Sequence, residues 1–180
     1  MPRLDPITTK AELPAEHQPV ADAVLKVFGH IRGPFAMLLH SPKLAEQLLP
    51  LVTFVREGSI IEPNLRFAGI LTAARERDAE YVWAAQVEEA QKNGIRRELI
   101  DLIRAEGDPA SLRAPERDVV VYVRQLMRTN RVDPAAFDAL QKEHSAQWLV
   151  ELTAIVNFFA FVAGICNAME VSAPAGGDAF

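Results

Sequence analysis

The chain has 180 residues, 49% apolar and 24% charged, which is enough for one core of ordinary size that needs no disulfide or metal staple. Nineteen Lys plus Arg against 24 Asp plus Glu give a formal net charge of -5. That sign disfavours a nucleic-acid partner, because such binding rests on clustered cations that neutralise phosphates. The single cysteine, Cys166, excludes an internal disulfide, a Cys-x-x-Cys redox pair and a cysteine-based zinc site within one chain.

The opening Met1-Pro2-Arg3-Leu4-Asp5-Pro6 lacks the basic-then-apolar layout of a secretory signal, so a cytoplasmic location is expected. Beyond it nearly every segment has helical periodicity, with no Val/Ile/Thr alternation of period two bounded by hairpin turns. A first helix is expected from Pro14, a good N1 residue, to Phe28 before Gly29. Ile31 to His40 follows as a short apolar turn region, closed by the N-cap pair Ser41-Pro42. Helices are then expected over Pro42 to Arg56, with Pro50 as a kink, and from Pro63-Asn64 to Arg77, with Phe67, Ile70, Leu71 and Ala74 on one face. The next runs from Ala79 to Asn93 and stops at Gly94, the residue best able to adopt the left-handed C′ conformation. Arg96 to Ala105 is broken by Gly107-Asp108-Pro109, and Pro115 to Thr129 and Pro134 to Glu143 follow, the latter capped by Asp133.

The last helix, Ser145 to Met169, sets Trp148, Leu152, Ile155, Phe159, Val162, Cys166 and Met169 at alternating spacings of four and three. Its uncharged stretch from Leu152 to Met169 reaches the length of a membrane span. Thr153, Asn157, Gly164 and Asn167 interrupt that stretch, Glu151 and Glu170 bracket it, and no Lys or Arg anchors either end. A buried helix, covered by neighbours or by other subunits, is therefore expected rather than a membrane helix. The tail 172–180 has no periodicity and is expected to be disordered. Together these signals predict one all-α domain over residues 1–171, a multi-helix bundle of seven or eight helices that self-associates through its apolar last helix.

Chemistry concentrates between Arg66 and Ile100. On a helix Ala79, Trp83, Gln86 and Ala90 share one stripe, which sets an amide beside an indole. A buried amide without a partner costs about 1–3 kcal/mol. Gln86 therefore either hydrogen-bonds a ligand or catalytic water, or is a core glutamine bonded to a neighbouring helix or subunit. The run Glu80-Tyr81-x-Trp83-x-x-Gln86-x3-Ala90-x3-Gly94-Ile95, followed by Arg97-Glu98-Leu99-Ile100, resembles the carboxymuconolactone decarboxylase and alkyl hydroperoxidase D-like superfamily, many members of which carry histidine where Gln86 stands. Gly33-Pro34-Phe35, Leu39-His40-Ser41-Pro42-x-Leu44-Ala45-Glu46 and the helix from Glu151 to Val171 resemble the same superfamily, so the likeness spans roughly residues 30 to 171.

That resemblance implies an all-helical fold of the alkyl hydroperoxidase D type, assembled as dimers, trimers or hexamers, with a pocket near subunit contacts. Carried over residue by residue, the cysteine pair of the peroxidase branch falls on Ala79 and Val82, its histidine on Gln86 and its glutamate on Phe67. Thiol peroxidase activity is the least expected outcome, since no thiolate stands there to attack a peroxide. Cys166, on the apolar seam, is expected to be a shielded structural thiol.

Decarboxylation of an unsaturated lactone acid needs donors that hold the carboxylates and an acid that protonates carbon. Gln86 donates a hydrogen bond but has no proton to give near neutral pH, so the acid candidates are Tyr81, Glu80, His40 and His144. Each has a plainer reading. Glu80, like Glu76, suits a solvated charge or ion pair; His40 suits a bond to the adjacent turn, or else the mouth of a pocket; and His144 suits a helix C-cap. Phe67, Tyr81 and Trp83 are pocket walls or core aromatics. No metal-ligand spacing, phosphate loop or nucleophile elbow occurs, so no metal or cofactor is expected. Two functions stay open: a cofactor-free lyase-like enzyme on a small unsaturated or aromatic-derived carboxylic acid or lactone, or a catalytically degenerate relative that serves as a small-molecule binding or assembly protein.

Overall fold

The computed structural model describes residues 2–180. Among them are nine α-helices and no strand, the all-α class that the periodicity predicts. Backbone contacts gather the chain into two units, one of residues up to Ser59 with Ile165–Ser172, the other of Ile60–Gly164 with Ala173–Phe180.

In the first unit, 3-10 turns at Lys10–Glu12 and Ala15–His17 precede helix α1 (Gln18–Phe28). The helix expected from Pro14 starts later, because Pro14 holds ψ at 146° and Pro19 takes the first turn instead. Glu12 closes the first 3-10 turn by accepting hydrogen bonds from the backbone N–H groups of Thr8 (3.0 Å) and Thr9 (2.8 Å). Gly29, at φ 75°, ends α1 as expected. Where only a turn was expected, Pro34–Leu38 forms the short helix α2, since Phe35 to Leu38 are all buried and a turn of helix satisfies their backbone. Helix α3 (Pro42–Thr53) follows Ser41 and passes into a wider π turn at Phe54–Gly58. Pro50 lies inside α3, where it has no N–H to donate to the preceding turn. Arg3 ties the N-terminal segment to the end of the last helix, donating from its backbone N–H to the Met169 carbonyl at 2.9 Å and pairing with Glu170 at 2.6 Å.

The second unit is built on α4 (Pro63–Glu76), which packs against α5 (Glu80–Lys92), α6 (Arg97–Arg104) and α7 (Ala114–Thr129). From Phe67 to Ala74 every residue of α4 is buried, so this helix has no solvent face there. Gly69 makes room for the last helix: a Cβ at this position would stand 3.0 Å from Leu152 and 3.1 Å from Val156. Asp78 (φ 45°) separates α4 from α5, and Gly94 (φ 72°) ends α5. After α6 the left-handed residue is Glu106 (φ 52°), and the small size of Gly107 accommodates Leu102, which would stand 3.2 Å from an added Cβ. Asp133 precedes α8 (Pro134–Glu143), but its side chain accepts from Gln125 at 3.1 Å rather than capping its own helix.

Glu76, expected to be a solvated charge or an ion pair, is the centre of an ion cluster: its side chain is only 6% exposed, and it receives Arg128 at 2.5 and 2.7 Å and faces Arg124 at 3.5 Å. Glu106 joins Arg75 at 2.7 Å and Arg128 at 3.2 Å.

Helix α9 (Ala146–Ala168) buries the expected seam from Trp148 to Cys166. It is long and apolar enough to cross a membrane by length and composition. Among its exposed positions, Val150, Ala154, Asn157, Phe161, Gly164 and Ala168 form one uncharged stripe. After it the tail has no helix, yet it is not without contacts. Pro174 accepts the Gly177 N–H at 2.9 Å across Gly176 (φ 74°), a turn whose third residue requires a positive φ.

Candidate functional site

Helix α5 turns the predicted stripe inward. Ala79, Trp83 and Ala90 are buried and Gln86 is half-buried, so the helix presents its indole to the interior and its amide near the rim. Val82 is buried as well, so the two positions that the resemblance assigns to cysteines hold small apolar side chains within the core. Tyr81 is half-buried and Glu80 is exposed on the first turn of α5, where a carboxylate is favoured by the helix dipole.

The indole of Trp83 is fully enclosed, and its Nε1–H points at a carboxylate that sequence periodicity does not reveal. Asp178 accepts from Trp83 Nε1 at 3.2 Å and from Arg104 Nε at 3.1 Å, is also paired with Arg104 Nη2, and faces Arg97 Nη1 at 3.4 Å. Arg97 and Arg104 stand on α6 with Asp101 between them, four and three residues away, and Asp101 pairs with both. Two residues beyond Asp178, the ring of Phe180 meets the Trp83 indole edge-on, with centroids 5.6 Å apart at 74°. The Arg75 guanidinium lies 4.5 Å from the Phe180 centroid and that of Arg104 lies 5.8 Å from the Trp83 ring, both within cation–π range. Gly177 lets the tail approach, since a Cβ there would stand 3.0 Å from Ala84 of α5. Burial pushes the Asp178 carboxyl up, but hydrogen bonds from Trp83 and Arg104 and the charges of Arg104 and Arg97 outweigh it and hold the group below its ordinary value.

The other candidates have surroundings of their own. Phe67 is buried in α4, with the half-buried guanidinium of Arg66 at 6.0 Å from its ring; burial lowers the Arg66 pKa. His144 caps α8 and stacks on Trp148 at 3.8 Å and 10°, while the Trp148 Nε1–H donates to Glu62 at 3.2 Å. His40 belongs to the first unit, is exposed, and donates from Nε2 to the Asp5 carbonyl at 2.9 Å. Cys166 is buried, which pushes its thiol up to about 12. A cleft of about 350 Å³ lies elsewhere, between the starts of α4, α6 and α7, with Glu116 paired to Arg96 on its wall. No group of three or more His, Cys, Asp or Glu side chains among the described residues could hold a metal ion.

Sequence reasoning found Trp83 but missed Arg75, Arg97, Arg104, Asp178 and Phe180. A usable signal existed in the i, i+4, i+7 spacing of Arg97, Asp101 and Arg104 and in the Pro174-Ala175-Gly176-Gly177 turn, but nothing local joins the two.

No protein-family model and no curated protein matches the sequence. Solved structures do match in shape. A cysteine-to-alanine variant of the debrominase Bmp8, in complex with 2,3,4-tribromopyrrole, has a TM-score of 0.76 at 16% identity over 97% of this chain and 95% of its own. The apo debrominase scores 0.72 at 17% identity, covering 94% of this chain and 92% of its own. A protein of unknown function from Agrobacterium tumefaciens, likened to the antioxidant-defence protein AhpD, scores 0.66 at 16% identity over 76% of this chain and 94% of its own. What is shared at these identities is the architecture: the chain has the all-helical alkyl hydroperoxidase D-like fold.

Proposed function

We propose that the protein binds a small aromatic or unsaturated carboxylic acid, without a cofactor, on the face formed by Trp83, Arg97 and Arg104, as a member of its fold that has set aside thiol chemistry. The observation that carries this reading is the convergence of an indole N–H and two guanidinium groups on a single carboxylate, beside an aromatic edge. That set is complementary to an acid with a ring, and charge-assisted hydrogen bonds of this kind are the strong ones. The class agrees with the acids that the sequence resemblance implies.

A second reading adds turnover: a lyase-like step of the carboxymuconolactone decarboxylase kind, with Gln86 as donor and Tyr81, Glu80 or His144 as acid. It is favoured by the solved neighbour that is a debrominase holding a small aromatic ring, which is an enzyme on this fold. Calorimetric titration with phenylacetate, cinnamate and carboxymuconolactone tests the first reading, and absorbance loss or released carbon dioxide tests the second. Micromolar to millimolar binding that Arg104→Ala abolishes is the expected result. Absence of binding by all three acids in a variant whose tail cannot occupy the site would overturn it.

A further inference from the structure

The site proposed above is already filled, and by the chain itself. Asp178 supplies the carboxylate that Trp83, Arg97 and Arg104 hold, and Phe180 supplies the ring that lies against Trp83 and under Arg75. We propose that the segment 173–180 is a built-in competitor, a surrogate for an aryl-substituted carboxylic acid that must leave before such a ligand enters. This inference rests on the reading of the site given above.

Three features suit that role. A carboxylate and a ring two residues apart on one short segment reproduce both halves of an arylalkanoic acid. The segment has no helix or strand of its own, only the turn at Pro174 to Gly177, so it can be released without unfolding an element. Phe180 is 37% exposed although it touches Trp83, so its ring is seated but not enclosed. A tethered competitor acts at an effective concentration of order millimolar for a short linker, so an external acid binds with its intrinsic affinity reduced by the fraction of chains whose site is open.

The test compares the full chain with the same chain carrying Asp178→Asn and Phe180→Ala, titrated with phenylacetate by calorimetry at neutral pH. In parallel the indole N–H resonance of Trp83 is followed, assigned by its persistence in Trp148→Phe. The variant is expected to bind phenylacetate at least tenfold more tightly, with its free Trp83 signal displaced from that of the wild type. Adding Arg104→Ala to the variant should remove the gain. Equal affinity in wild type and variant would overturn the competitor role while leaving the site itself standing. A Trp83 signal identical in both would show that the tail is not seated there and would equally overturn it. A displaced signal with no binding in either chain would overturn the site reading, and the competitor role with it. Gain that survives Arg104→Ala would place the ligand elsewhere and overturn both. A thermal melt of each variant confirms that the fold is intact.

Discussion

Asp178 shows how one side chain can have opposite influences and a definite outcome. Desolvation disfavours its charge, while Trp83, Arg104 and Arg97 favour it more, so its folded pKa lies below the unfolded one. The stabilisation it provides is therefore complete above the ordinary carboxylate range and is lost as the pH falls through the lowered folded value. Following the Trp83 indole signal through an acid titration should show one transition below that range, absent in Asp178→Asn. At Cys166 a single cause acts: burial raises the thiol to about 12, so almost no thiolate exists at neutral pH. Labelling with a thiol-specific disulfide reagent should be slow in the native protein and immediate in denaturant, and dithiol-dependent peroxide reduction should be absent. Peroxide turnover that survives Cys166→Ala would refute that expectation.

Among the elements, α4 has the strictest demands. Its Gly69 faces Leu152 and Val156 so closely that Gly69→Val must displace them, an overpacking that costs about 1–3 kcal/mol. Chemical denaturation should report that loss with an unchanged slope. The end of the same helix holds Glu76 against Arg124 and Arg128. Removing the carboxylate leaves Arg124, whose side chain is 11% exposed, without its nearest counter-charge. Glu76→Ala is expected to destabilise by about 3–5 kcal/mol, the usual range when one partner of a buried pair is deleted. A cost below 1 kcal/mol would show that the cluster is solvated in solution. Glu76 and Glu80 stand only four residues apart, yet Asp78 at positive φ separates their helices, and Glu76 turns to α7 while Glu80 is exposed.

For the whole molecule, the stripe of Val150, Ala154, Asn157, Phe161, Gly164 and Ala168 on α9 is the surface on which self-association should depend. Uncharged and with Val150 68% exposed, it is the part of this helix that the buried seam does not use. We expect light scattering at micromolar concentration to show a dimer or larger assembly, and Phe161→Glu to shift it toward monomer. A wild-type protein that is monomeric under those conditions would remove the interface reading.

Fold class, the principal helices and the α9 seam were legible because each depends on local periodicity, capping and turn residues, which act over a few positions. The α5 stripe was legible for the same reason, with Trp83 and Gln86 on one face. The carboxylate site was not, since it joins Trp83 to a residue ninety-five positions away and to arginines on a different helix. Ion pairs and ring contacts of that kind arise only when packing brings distant segments within a few ångströms, and a segment without periodicity gives no sign of what it will touch. The sequence by itself determined an all-α protein with one shielded cysteine and no thiol pair. Only the tertiary structure decided that its tail lies on the indole and arginines, because that choice is made by charge and ring complementarity in space.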